Sequence, residues 1–292
     1  MSFIAAKSAV SIDKFKRDAR VNSVIAVQNT SRFAPVTDGF DLLLLVITND
    51  KQPTNHTSHY IKENVRVQER WIHISGLYTW ILNGQNRHII EWMLDGTVLL
   101  DRSSFLQAFK KDLQNFPVEL RKEKLLIEFS RFLRSFLLAK EYWGQSQSLD
   151  AYSHVLMAIN HWARIVIIES GKHPEITVWN QIHSLNPGVY KLYEELTTSQ
   201  EPLDKRVELV LLACDFSVMT KMKDCCSLLL QVIASREEPW TSAELKQHPD
   251  LEEVHVELSL ILNKLVKRSI LKEVLQEQPS GEKEICYTCL NC

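Results

Sequence analysis

The 292 residues predict an α+β chain in three parts: a mixed sheet with helices over residues 1–116, a helical bundle over 117–221, and a winged-helix-like module over 222–292. Three observations carry that expectation. Short apolar runs broken by polar turns fill the first part. Beyond Pro117 the apolar residues recur at helical spacing. The final part orders as helix, helix, helix, hairpin, with the turn at Pro279-Ser280-Gly281-Glu282.

The first part is organised around Asn22–Ile47, which holds two apolar runs, Val24–Val27 and Leu42–Ile47. The second run does not alternate, so it reads as a central strand covered on both faces. Asp38 and Asp41 stand at its mouth, where a carboxylate is costly unless it holds a metal, a cation or backbone amides. An opening helix is expected over 8–20, further strands at Tyr60–Glu63 and Val65–Ile74, and a helix from a Ser75 cap through Leu82 that ends at Asn83-Gly84. A short helix over 87–94, a strand at Thr97–Leu100 and a helix at Ser104–Asn115 complete this part.

Leu120–Trp143 and Asp150–Gly171 carry continuous helical stripes, followed by helices near 175–185, 187–197 and Asp204–Lys221. Within His161–Glu169, Trp162 and Arg164 admit two readings: a stacking and pairing surface for a ligand, or a core residue and an internal ion pair. In the last part, helices are expected at Ser227–Ser235, at Thr241–His248 and from Asp250 through Arg268, then a hairpin of Ile270–Gln276 and Lys283–Leu290. That winged-helix order suggests DNA, but residues 222–292 carry eight basic against twelve acidic side chains. A helix opening Asp250-Leu251-Glu252-Glu253 would meet phosphates with carboxylates. Nucleic acid is therefore disfavoured, and a packing or dimerisation role is expected instead.

Composition narrows the classes. A net charge of −2 gives no general attraction for polyanions. No apolar run approaches the roughly 20 residues of a membrane helix, and the opening residues lack a signal-like apolar segment. With scattered thiols, these features point to a reducing cytoplasm. Cys286, Cys289 and Cys292 form a C-x-x-C-x-x-C tail with no evident fourth ligand. It reads as a final strand and a frayed end rather than a zinc or iron–sulfur site.

The Asn22–Ile47 stretch resembles the signature of the DNA polymerase beta nucleotidyltransferase superfamily. That signature is a hydrophobic residue and Gly-Ser, a spacer, then Asp-hydrophobic-Asp leading a strand. Here the Gly-Ser position reads Gln28-Asn29 and the Asp-x-Asp position reads Gly39-Phe40-Asp41. The element order up to "GTVLLDRSSFL" is similar to kanamycin nucleotidyltransferase, and residues 117–221 resemble the helical substrate-binding domain of such enzymes. Over its whole length the chain resembles an uncharacterised group of nucleotidyltransferase-like proteins from Gram-positive bacteria.

The resemblance implies Mg²⁺ and a nucleoside triphosphate as cofactors, with Asp38, Asp41 and Glu69 as metal ligands. Asp41 and Glu69 would be the catalytic carboxylates, and Gln28, Asn29 and Ser31 the nucleotide-binding residues. Glu69 has a second reading, an exposed strand residue pairing Arg66 or Arg70. Asp101 is explained by a cap or Asx turn, Glu91 by a solvent-facing helix position, and His73 and His88 by structural roles. Gly39 brings no carboxylate and Asn29 adds bulk where phosphate needs close backbone approach.

Two functions stay open. One is weak or absent transfer of a nucleoside monophosphate to a small hydroxylated acceptor at a degenerate site. The other is a non-catalytic module for a nucleotide or a protein, with a DNA-binding regulator as a poorer third. A homodimer fits relatives that build the cleft between two subunits.

Overall fold

The structure is a computed structural model that describes residues 12–29, 35–50, 55–84, 88–277 and 281–290. It divides into two compact units, Met1–Pro117 and Val118–Cys292.

In the first unit, α1 (Ile12–Arg17) precedes β1 (Val21–Gln28), β2 (Leu42–Thr48), β3 (His56–Lys62) and β4 (Val65–His73). Next come α2 (Ile74–Asn83), α3 (Ile89–Asp95), β5 (Thr97–Asp101) and α4 (Phe105–Asn115). The described strands form one sheet in the order β3-β4-β2-β1-β5, with β2 and β4 parallel and the other neighbours antiparallel. The mixed sheet expected from the sequence is present, and β2 lies at its middle.

All seven residues of β2 are buried, because both sheet faces are covered. Leu43, Leu45 and Ile47 pack with Ile72, Leu77, Ile81 and Trp92 under the α2–α4 helices. Leu42, Leu44 and Val46 pack with Val65, Val67 and Phe15 of α1 on the other side. Since strand side chains alternate, these two cores fix which way every residue of β4 points.

Helix α2 begins two residues earlier than expected. His73, the last residue of β4, caps it by accepting from the Ser75 amide at 3.3 Å, so Ser75 is not the cap. Strand and helix join without a loop, which leaves the cap to the strand's own final side chain. The helix stops at Gly84 with φ +62°, as the sequence indicates.

The second unit opens on the long hairpin of α5 (Val118–Gly144) and α6 (Ser148–Glu169). It continues with α7 (Val178–Leu185), α8 (Pro187–Thr198), α9 (Leu203–Cys225) and α10 (Ser227–Ile233). Then come β6 (Trp240–Thr241), α11 (Ser242–Gln247), α12 (Pro249–Glu252), α13 (Leu258–Lys267), β7 (Leu271–Glu277) and β8 (Lys283–Cys289). Strands β6, β8 and β7 make a small antiparallel sheet in that order. Thr241 and Glu244 form a reciprocal capping box on α11.

One helical expectation is corrected here. Asp250 through Arg268 is not a single helix: α12 ends at Glu252, and α13 starts at Leu258. The intervening Val254-His255-Val256 favours extended backbone because β-branched side chains lose freedom in a helix. The acidic Asp250–Glu253 stretch therefore lies on α12 and just after it, not at the start of the helix that precedes the hairpin. The start of α13 is docked internally: the Glu257 amide donates to Ser130 Oγ at 2.9 Å, and Arg134 pairs with the Glu257 carboxylate at 2.6 Å, both from α5.

Among the described residues no helix is long and apolar enough to cross a membrane.

Candidate nucleotide-binding crevice

A crevice of about 340 Å³ opens at the end of β1, lined by Gln28, Asn29, Val36, Glu91, Asp95 and Gly96 among others. Two of the expected nucleotide-binding residues, Gln28 and Asn29, are therefore on its wall. The third, Ser31, lies outside the described residues. Gly96 is required at the back of the crevice. A Cβ there would sit 2.3 Å from Ile25 Cγ2 and 2.4 Å from the Trp92 carbonyl oxygen, closer than any side chain tolerates.

The entrance to β2 is a tight turn. The Phe40 amide donates to the Thr37 carbonyl at 3.0 Å, and both central residues have positive φ, Asp38 at +49° and Gly39 at +84°. Positive φ at both central positions is the type I′ pattern, which Asp and Gly adopt most cheaply. It aims the Asp38 carboxylate at β4, where Arg70 forms an ion pair with it. Arg70 is fixed from three sides, because its Nε also donates to Gln68 Oε1 at 3.1 Å and its guanidinium lies 5.3 Å from the Trp92 ring centre.

Asp41 is engaged by backbone. Its carboxylate accepts from the Arg66 amide at 2.8 Å, its own amide donates to the Arg66 carbonyl at 3.1 Å, and its carbonyl accepts from the Asn29 amide at 3.0 Å. The Asn29 amide, which a phosphate cradle would need, is thus used in extending the sheet. The Arg66 guanidinium lies 5.1 Å from the Phe40 ring centre and donates to the Gly39 carbonyl at 3.4 Å.

Glu69 is placed elsewhere. On β4, Ile72 belongs to the helix-covered core, and Val65 and Val67 to the α1 side. Alternation therefore puts Arg66, Gln68 and Arg70 on the first face and Glu69 on the second. There Glu69 is 4% exposed and accepts from Lys14 Nζ at 2.5 Å, Tyr60 Oη at 2.9 Å and Trp71 Nε1 at 2.8 Å. Burial first, then the charge of Glu69 and its hydrogen bond, push the Tyr60 hydroxyl's pKa well above the ordinary phenol value. Neither sequence reading of Glu69 holds: it is not exposed, does not pair Arg66 or Arg70, and does not join Asp38 and Asp41.

Asp38, Asp41 and Glu69 are not brought together, and no group of three or more His, Cys, Asp or Glu among the described residues could hold a metal. Mg²⁺ requires several oxygen ligands in near-octahedral array. Here the face that should offer a third carboxylate offers Arg66 and Arg70, whose charge opposes a cation. The residues present do not fit a Mg²⁺ ion.

The remaining candidates resolve simply. Asp101 receives the Leu106 and Gln107 amides at 3.0 and 3.3 Å and so caps α4. Glu91 pairs with His88 at 3.1 Å while half exposed, and it also lines the crevice. Arg164 pairs with Glu128 at 2.8 Å, and Trp162 packs at a tilt against Phe132 with ring centres 6.4 Å apart. Cys286 is buried in β8, Cys289 ends that strand, and Cys292 lies outside the described residues.

Arg70 and Trp92 were missed by sequence reasoning. The alternation in Val65–Ile72 carried the signal, since it sets Arg66 and Arg70 on one face and Glu69 on the other.

Comparison with known proteins places this geometry. Residues 10–121 match a family described as nucleotidyltransferase-like, residues 122–221 one described as a YgxA-like substrate binding domain, and residues 227–285 a helix-turn-helix domain. The uncharacterised protein YgxA of Bacillus subtilis is 35% identical over 260 residues, covering 89% of this chain and 88% of that one. The crystal structure of a nucleotidyltransferase-like protein from Exiguobacterium sibiricum superposes with a TM-score of 0.88 at 30% identity. That match covers 99% of this chain and 100% of the other. The chain belongs to the YgxA-like family of nucleotidyltransferase-like proteins.

Proposed function

We propose that the chain uses its nucleotidyltransferase fold to bind a nucleotide or a small hydroxylated molecule without a metal ion, and that it transfers nucleoside monophosphate weakly or not at all. The observation that carries this reading is the Arg70 guanidinium on Asp38, a fixed cation where a divalent ion would be needed. A two-metal clamp works by neutralising triphosphate charge with ions held between carboxylates. With Asp38 neutralised, Asp41 bonded to the Arg66 amide and Glu69 on the far face, that clamp has no ligand set.

The crevice wall suits a different contact. Side-chain amides at Gln28 and Asn29 hydrogen-bond hydroxyls and ring nitrogens, while Glu91 and Asp95 repel a bare triphosphate. A nucleoside moiety or a sugar-like acceptor is the better fit. The name of the matching domain over 122–221 supports a small-molecule ligand for the chain as a whole.

The helix-turn-helix module is read as a packing element. The N-terminal end of α13, the end that meets base edges in this class of domain, is held against α5 through Glu257.

Thermal shift with adenosine, ATP, GTP, CTP and UTP, each with Mg²⁺ and with EDTA, tests the proposal. Stabilisation by at least one ligand, equal in both conditions, is the expected result. A shift that appears only with Mg²⁺, or turnover that Asp41→Ala abolishes, overturns it.

A further inference from the structure

Helix α9 is apolar on two faces. Val207, Val210, Cys214, Val218 and Met222 are buried in the helical unit. Leu209, Leu212, Phe216 and Met219 are 44%, 66%, 69% and 58% exposed. Their spacing of three, four and three residues sets them in one stripe, the seam that one helix offers to another. A surface helix needs a single apolar face, for the core. A second contiguous one left in water marks a contact site.

The two flanks of the stripe differ. By helical spacing Ala213 and Thr220 border one side, and Asp215 borders the other. Lys140 of α5 pairs with Asp215 at 3.3 Å. Lys264 of α13 lies in the field of that pair and of Lys267 and Arg268. Burial holds the Lys264 ammonium below its ordinary pKa, Arg268 lowers it next, and Asp215 opposes them. Lys264, Lys267 and Arg268 make no ion pair among the described residues. The residues outside those described contain no Asp or Glu, so no side chain there supplies the missing charge. Along α9 itself, Lys205 pairs with Glu208 and Lys221 with Glu169. The excess positive charge beside the stripe therefore lies on its Asp215 flank.

We propose that the Leu209–Met219 stripe and the Lys264–Arg268 cations form a docking surface for an acidic amphipathic helix of a partner protein. The partner's apolar residues fill the seam, and its carboxylates meet the cations. A second copy of this chain fits less well. Two-fold pairing sets Leu212 against Phe216, but it also brings a second set of the same cations to the contact. A bilayer surface suits an apolar face with cations on both flanks, and here one flank is Ala213 and Thr220. Duplex DNA accounts for the cations and leaves the stripe in water. The proposal does not rest on the β1 crevice or on its ligand.

The probe is a synthetic helical peptide with Leu at heptad positions a and d and Glu at e and g, whose like charges keep it from pairing with itself. The control peptide carries Lys at e and g. Binding of each labelled peptide to the full chain is read by fluorescence anisotropy at low and high salt. Saturable binding of the Glu peptide alone, weakened by salt, is expected. Affinity should fall roughly tenfold or more in Phe216→Ser and in Leu212→Ser. The double variant Lys264→Gln, Arg268→Gln should lose most of the salt dependence. Leu275→Ser, at an equally exposed apolar residue on β7, should leave binding unchanged. Phe216 and Leu212 face solvent, so unchanged melting curves are expected for both variants. No binding of the Glu peptide, equal binding of both peptides, or wild-type affinity in Phe216→Ser overturns the proposal. So does a dimer in sedimentation velocity, or binding to phosphatidylglycerol vesicles, that Phe216→Ser abolishes. Duplex DNA binding that the double variant loses and Phe216→Ser keeps assigns the cations to nucleic acid and overturns it as well.

Discussion

Replacing Glu128 by Gln keeps the shape of the α5–α6 interface and deletes its one buried negative charge. The size of the effect follows from the carboxyl's own titration. Burial pushes its pKa up, but the His161 hydrogen bond and the Arg164 guanidinium outweigh that and hold it at about 2, from an ordinary value of 4.5. At 1.36 kcal/mol per pH unit, this difference is about 3 kcal/mol of stability at neutral pH. The sign is that of a depressed acid: the contribution is complete above pH 4.5 and is lost as the pH falls toward 2. Glu128→Gln should therefore lower the unfolding free energy at pH 7 by about 3 kcal/mol. Urea unfolding followed by far-UV circular dichroism at pH 7, 5.5, 4.5 and 3.5 measures it. The gap between wild type and variant should be constant from pH 7 to 5.5 and narrow below 4.5. A loss under about 1 kcal/mol at pH 7, or a gap that does not depend on pH, would refute the account of a charge held by its partners.

Lys124→Met should act in the opposite direction. The folded pKa of Lys124 is about 8 against 10.5 for a free side chain, so the buried ammonium costs about 3 kcal/mol below pH 8, and wild-type stability should rise between pH 8 and 10.5. The variant should be more stable at pH 7 and lack that rise in a urea series; a less stable variant at pH 7 would contradict it. Gly96→Ala should push the crevice wall apart, because its Cβ would overlap Ile25 and the Trp92 carbonyl. A cost of about 1–3 kcal/mol lowers the melting temperature of a chain of this length by about 2–5 °C, and an unchanged melting curve would show that the wall yields freely.

Much of this architecture was legible from local pattern. The non-alternating Leu42–Ile47 run could only be a strand covered on both sides, and β2 is fully buried. Helical spacing beyond Pro117 marked α5 and α6, and the turn before Lys283 marked the last hairpin. These features depend on the nearest few residues, which the sequence presents directly. The break between α12 and α13 was not read because a helix-compatible run of charges and leucines surrounds the short β-branched segment that interrupts it.

The site was legible only in part, for a reason of geometry. Sequence shows that Asp38, Asp41 and Glu69 are present and that Gly39 replaces a carboxylate. It does not show direction. A shift of one residue along β4 turns a side chain to the opposite face of the sheet, and that separates Glu69, on Lys14 and Tyr60, from Asp38, on Arg70. The same holds for Glu128. Its position on α5 is visible, but its partners His161 and Arg164 come from α6. The chain by itself determined which elements form and the order in which they come. Only the packed structure decided which charges face one another, because a charge takes its partner from neighbours in space.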